Sequence, residues 1–294
     1  MDSALELKQK YQDKLISNVE QAIPYLEQSS LFQNLLIDFE MNNLNLLHRL
    51  IQIAEIPFSY YHPKVSSWRD QLAQNTFCEE GFSLNGEKDD LLACYNAMIT
   101  SVLFELKYEN ISQLQAGINW ILKYQNVERN RENKWNGKAI HKYGGCMKST
   151  PCYIGIVKSM ITLTAAKKRK DLNIEKVQPK LNKGLEYILD HQLYQRKSDS
   201  APITKDITKL TYPFTYKTNL IEILRLLKSN DKLEDQRSSN ALEFILKKQK
   251  KDGFWRTNSF YKPKFWVDFD LPKQKAEWIS FEVKAIVNES GKNT

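Results

Sequence analysis

Gly117-Ile118-Asn119-Trp120-Ile121-Leu122-Lys123-Tyr124-Gln125, Gly184-Leu185-Glu186-Tyr187-Ile188-Leu189-Asp190-His191-Gln192 and Ala241-Leu242-Glu243-Phe244-Ile245-Leu246-Lys247-Lys248-Gln249 align without gaps. Each reads small-x-x-aromatic-Ile-Leu-x-x-Gln. The aromatic stands at 120, 187 and 244, so the pattern recurs after 67 and then 57 residues. Self-similarity at such a period is the mark of a stacked repeat architecture. The small residue and the aromatic three positions later share one helical face, which predicts that the ring lies back over the preceding turn.

A second apolar stretch precedes each copy: Leu91 to Leu106, Pro151 to Ala166 and Tyr216 to Leu227. Asp89 or Asp90 is suited to cap the first, and Thr150 with Pro151 at the first helical position suits the second. Each period therefore predicts a helical hairpin. Such hairpins cannot bury their apolar faces alone and must stack, so the fold class is all-α. Ala276 to Val287 reads as one more helix closing the array. Residues 3 to 55 carry apolar positions at helical spacing, among them Leu44, Leu46, Leu47, Leu50, Ile51 and Ile53, and predict two or three helices interrupted near Pro24 and Asn42. Residues 61 to 75, around Trp68, read as the degraded outer helix of an earlier repeat. The organisation is an N-terminal helical extension over 1–60, a repeat domain over 61–287 and a frayed tail over 288–294. Two long loops, 126–145 and 195–210, are functional candidates by their length.

The composition narrows the function classes. Glycine is only 10 of 294 residues, and neither G-x-G-x-x-G nor G-x-x-x-x-G-K-[ST] occurs, so no nucleotide cofactor is expected. The net charge is +8 and the pI near 9.1. The lysines are spread out, and the one tight run, Lys167-Lys168-Arg169-Lys170, reads as a solvated loop, so no nucleic-acid partner is expected. No stretch is long and apolar enough for a transmembrane segment. Met1 to Glu6 lacks a basic start followed by an apolar run, so no signal peptide is expected. Four cysteines fit a reduced, cytoplasmic setting rather than a disulfide scaffold.

The third copy continues as Gln249-Lys250-Lys251-Asp252-Gly253-Phe254-Trp255. This Q-x-x-D-G-x-W resembles the QW repeat of squalene–hopene cyclases and related terpenoid cyclases. Asp-Gly makes the turn out of the helix, with glycine in the left-handed cap, and the tryptophan folds back over the joint between hairpins. A wider resemblance, over about residues 80 to 287, rests on Gly145-Cys146, Thr150-Pro151-Cys152, Gly155, Val157-Lys158 and His191-Gln192-Leu193-Tyr194-Gln195-Arg196. It also rests on Tyr212-Pro213-Phe214, Leu220-Ile221-Glu222-Ile223-Leu224 and Trp278-Ile279-Ser280. These resemble uncharacterised bacterial squalene-cyclase-like proteins of the terpenoid cyclase and protein prenyltransferase superfamily. Tyr153, Ser198 and Asn219 depart from that pattern. The resemblance implies an α/α toroid, with inner and outer helices around a central cavity.

It also suggests chemistry. Class II terpenoid cyclases protonate an alkene with an aspartate kept acidic by a buried carboxylate cluster. Glu87-Lys88-Asp89-Asp90 is the nearest counterpart, with Asp89 and Asp90 as candidate catalytic residues; capping of the following helix is the plainer reading. Cys146, Cys152 and His191, with His141 nearby in sequence, are candidate zinc ligands with an open fourth position. Packing of the cysteines and helix-end capping by His191 are the plainer alternative, and Cys78 and Cys94 read as packing residues. Tyr212, Phe214, Tyr216, Trp255 and Trp278 are candidate substrate-binding aromatics, able to face a carbocation or an apolar ligand. Arg196 is a candidate anion anchor for a diphosphate or carboxylate. The function expected is a terpenoid cyclase-like or prenyltransferase-like protein holding an elongated apolar isoprenoid or lipid in a central cavity. The alternative is a non-catalytic module binding a peptide or lipid on the same scaffold.

Overall fold

Short polar side chains set where the N-terminal helices begin. Helix α1 (Ser3–Gln12) starts after Asp2, whose carboxylate accepts from the Ala4 N–H at 2.8 Å. Asn18, Ser29 and Asn42 cap α2 (Val19–Gln28), α3 (Ser30–Leu35) and α4 (Asn43–Ile53) in the same way, each satisfying a first-turn N–H that has no partner within the helix. This computed structural model describes residues 1–131, 135, 137, 138, 150–260 and 262–289. The break expected at Pro24 does not occur. α2 runs through it, because Pro24 is on the exposed side, where the carbonyl it leaves unserved can turn to water. The break at Asn42 does occur. α5 (Pro63–Thr76) begins on a proline that needs no N–H there, buries Trp68 and packs on α4, as expected of an outer helix.

Hairpins follow. They are α6 (Ala93–Glu105) with α7 (Ile111–Tyr124), α8 (Tyr153–Ala166) with α9 (Val177–Asp190), and α10 (Leu220–Lys228) with α11 (Ser239–Leu246); α12 (Glu277–Glu289) ends the series. α6 packs on both α7 and α8, α8 on both α9 and α10, and α10 on both α11 and α12. Each hairpin therefore borrows its neighbour's apolar face. Twelve α-helices among the described residues make the chain all-α, and the one sheet among those residues is a two-stranded ribbon, β1 (Phe77–Cys78) against β2 (Gly81–Phe82). Among the described residues no helix is long and apolar enough to cross a membrane.

Helix starts fall later than the sequence suggested. α6 begins at Ala93, two residues past Leu91, and neither Asp89 nor Asp90 caps it; they sit in a short 3-10 turn, Lys88–Asp90. α8 begins at Tyr153, with Cys152 in the cap position and Thr150 outside. α10 begins at Leu220, four residues past Tyr216, because the Asn219 side chain accepts the Glu222 N–H at 3.0 Å. Residues 288 and 289 continue α12 instead of fraying, and 290–294 lie outside the described residues. Of the expected loop 126–145, residues 126–131 are non-helical and most of the remainder lies outside the described residues; 195–210 falls within a non-helical stretch from 191 to 219.

The repeat residues have definite tasks. A Cβ on Gly117 would stand 2.4 Å from Thr100 Oγ1 of α6, and one on Gly184 would stand 2.0 Å from Met160 Sδ of α8. Close approach of the paired helix, rather than room for the aromatic three residues on, is what requires the small residue. The first two glutamines reach towards the next hairpin. Ser159 of α8 donates to Gln125 Oε1 at 3.3 Å, and Asn240 of α11 donates to Gln192 Oε1 at 3.0 Å. Gln249 instead donates to the Gly253 carbonyl at 3.2 Å, with Gly253 left-handed at φ 75°. Trp255 is fully buried. Its ring N–H donates to the Ile245 carbonyl at 2.8 Å, its backbone N–H donates to Ser280 Oγ at 3.0 Å, and it pairs with Ala276. It thus joins the end of α11 to the start of α12. The loop before α12 also returns to α4: Arg49 Nη2 donates to the Phe265 carbonyl at 2.8 Å and Gln52 Nε2 to the Val267 carbonyl at 2.5 Å.

Two substitutions test this joint by equilibrium urea unfolding. Gly253→Ala places a Cβ in open space but in a left-handed conformation, and should cost about 1 kcal/mol. Trp255→Ala should cost on the order of 3–5 kcal/mol. Finding both neutral would contradict the joint.

Candidate functional site

The first helices of successive hairpins, with the end of α1, line a half-open cavity of about 450 Å³. Ile51 of α4, Met98 and Val102 of α6, Ile161 of α8, Leu226 of α10 and Phe214 supply apolar wall. Among the described residues α5, α7, α9 and α11 contribute nothing to that wall; they pack behind it. The polar part of the wall includes Ser101, Thr164 and Ser229 and the charged Glu55, Glu105, Lys158, Lys168, Glu222 and Arg225.

One network closes the side where the chain's two ends meet. Lys8 of α1 lies 2.9 Å from Glu55 Oε2, just past α4, and 2.6 Å from Glu282 Oε1 of α12. Arg225 Nη1 of α10 donates to both Glu55 oxygens at 3.0 and 2.8 Å. The Tyr212 hydroxyl donates to Glu55 Oε2 at 2.7 Å. Lys8, Glu55 and Glu282 are nearly inaccessible, and a charge so placed is tolerable only when paired and hydrogen-bonded. Burial pushes the Glu55 carboxyl up, but Arg225, Lys8 and Tyr212 outweigh it and hold it well below the usual range. The Tyr212 phenol is driven far up by burial and then by the two glutamates.

A second pair lies across the cavity. Lys158 Nζ of α8 is 2.5 Å from Glu222 Oε1 of α10 and donates to the Thr215 carbonyl at 2.7 Å. His48 of α4 is buried, and neither of its ring nitrogens has a hydrogen-bond partner among the described residues. Burial first, and then the Lys158 charge, lowers its pKa to about 4, so the ring is neutral at neutral pH.

Of the residues expected to form a site, the structure brings three together here. Tyr212 stacks on Trp278 at 5.9 Å and meets Phe214 edge-on at 5.4 Å, and Phe214 lines the cavity. Tyr216 is elsewhere, stacked on Tyr95 at 5.4 Å, and Trp255 is committed to its joint. Arg196 is exposed, paired with Asp199 at 3.0 Å, and not among the residues that line the cavity. Among the described residues no buried carboxylate cluster of the kind an alkene-protonating acid needs surrounds Asp89 and Asp90: Asp89 is about half exposed and paired with Lys138 at 2.9 Å, while Asp90 accepts from Asn85. Cys146 and His141 lie outside the described residues. Cys152 is half-buried at the start of α8. His191 closes α9 as a cap: its Nδ1 is 2.7 Å from the Tyr187 carbonyl and its ring stacks on Tyr187 at 4.4 Å. Tyr153, standing where the resemblance expects histidine, is buried and donates to the Leu193 carbonyl at 2.6 Å, which satisfies the chain just past that helix. Cys94 is buried as expected of a packing residue; Cys78 is only partly so.

Lys8, Glu55, Lys158, Glu222, Arg225 and Glu282 were not singled out from sequence. A signal was present in two places. Lys158 interrupts an apolar run from Ile154 to Ile161, and Glu222 and Arg225 interrupt another from Leu220 to Leu227. A charge inside an apolar stripe must find a partner on a facing helix.

Two measurements follow. Glu222→Ala leaves Lys158 buried without its carboxylate and should cost about 3–5 kcal/mol in urea unfolding. The unfolded His48 imidazole takes its proton near pH 6.5 and the folded one only near 4, so the unfolded state binds more protons between these values. Stability should therefore fall as pH drops through that window, by about 3 kcal/mol in all, and His48→Leu should flatten the slope above pH 5. No protein-family model, curated protein or solved structure matches the chain.

Proposed function

We propose that this protein is an α/α toroid whose central cavity binds an elongated apolar ligand of the isoprenoid or lipid class. The observation that carries the reading is the half-open cavity itself, lined by the end of α1, by α4 and by the first helix of each hairpin. A volume of about 450 Å³ is of the size a small-molecule site requires, and Ile51, Met98, Val102, Ile161, Phe214 and Leu226 form an apolar part of a wall that is otherwise largely polar.

Binding without cyclisation stands ahead of terpenoid-cyclase chemistry. Aromatic faces stabilise a substrate carbocation only if they are free to meet it. Here Lys8 lies 5.1 Å from the Tyr212 ring and 5.6 Å from that of Trp278, and Arg225 lies 5.4 Å from the Phe214 ring. The protein's own cations already occupy them.

Isothermal titration with farnesol tests the reading. One saturable site is expected, and Ala165→Trp, which fills the cavity from α8, should weaken binding by about tenfold or more. Unchanged affinity in that variant would place the ligand elsewhere.

A further inference from the structure

We infer that Arg225 is the head-group anchor of the cavity and that the ligand's polar end is a carboxylate. The inference rests on the apolar-ligand reading above and narrows it to apolar acids. Arg225 belongs to the cavity wall, and its side chain is 42% accessible although it sits in the closing network. Only Nη1 is engaged there, by both oxygens of Glu55, with Glu282 Oε2 at 3.7 Å. Nε and Nη2 have no hydrogen-bond partner among the described residues. The Phe214 ring fixes the guanidinium plane from one side. One edge of the fork is thus clamped and the other presents two parallel N–H groups, the geometry that takes a carboxylate through two hydrogen bonds.

The surrounding charge selects among anions. Lys8 and Arg225 face Glu55 and Glu282, two of each sign, and Lys158 faces Glu222. With Lys168 and Glu105 the wall holds three cations and three carboxylates, so the site has no net positive charge and each added negative charge is less favourable than the one before. A monoanion is accommodated at the free edge; a phosphate monoester or diphosphate is repelled. A neutral alcohol loses the charge-assisted bond. Leu226 and Phe214 line the same cavity as Arg225 and provide for the apolar chain.

Titrations of wild type, R225K and R196A with decanoate, decanol, decyl phosphate and acetate test this, with thermal unfolding as the check that each variant folds. R225K keeps a positive charge opposite Glu55 and Glu282, so it is expected to fold. Decanoate should bind wild type about tenfold or more tightly than decanol or decyl phosphate, R225K should lose that preference, and R196A should keep it. Decyl phosphate binding more tightly than decanoate would overturn the carboxylate assignment and leave the apolar-ligand reading standing. Acetate binding as tightly as decanoate would overturn the apolar-ligand reading and keep the anchor. A preference that survives in folded R225K, or disappears in R196A, would overturn Arg225 as the anchor. Absence of binding by all four probes would overturn both readings.

Discussion

The four-charge contact among Lys8, Glu55, Arg225 and Glu282 is the constraint on which the rest of the arrangement depends. Packing alone would let α1, α4, α10 and α12 slide against each other, since apolar faces are tolerant of register. Buried charges are not. Lys8 must meet Glu55 and Glu282 together, and a displacement of a few ångströms would leave one of them in a dry interior without its partner. The contact adds little to stability relative to an apolar substitute, but it ties the relative position of four helices to one point. The cavity keeps its shape because its wall passes through that point.

From there the structure is a chain of borrowed faces. α6 and α8 share the most extensive helix contact, and each hairpin exposes to the next what it cannot cover itself. Gly117 and Gly184 let the paired helices close, and the glutamines at the ends of α7 and α9 fasten one hairpin to the next. The residues that recur in the sequence therefore act at joints, while the residues that face the cavity do not recur. Scaffold and site occupy different positions of the same repeat.

That separation explains what the sequence made legible. The hairpins, the outer helix around Trp68, the turn at Gly253 and the buried role of Trp255 follow from periodicity and from backbone rules that act over a few residues. Helix starts were less legible because they depend on which side chain caps the end: Asn219 does so for α10, and Asp89 and Asp90, which look suitable for α6, do not. The site was least legible. Glu55 and Arg225 are 170 residues apart, Lys8 and Tyr212 are 204 apart, and no local pattern joins them. Tyr212, Phe214 and Trp278 were legible as aromatics but not as rings facing cations of the protein itself. Arg196 and Arg225 have the same side chain, and only the tertiary fold sets one at the surface and the other at the cavity.

The bonds from Arg49 and Gln52 to the carbonyls of Phe265 and Val267 have a consequence for the order in which the chain is made. Translation delivers α4 long before the loop that satisfies it, and delivers Lys8 before Glu282. Until the last hairpin has emerged, the N-terminal helices lack the partners of Gln52 Nε2 and Arg49 Nη2 and one of the two carboxylates that meet Lys8. They can become helical, but they cannot bury those groups without a desolvation penalty. The N-terminal helices can pair Lys8 with Glu55 and Arg49 with the Leu35 carbonyl among themselves, and the late loop and α12 supply only what those contacts leave open.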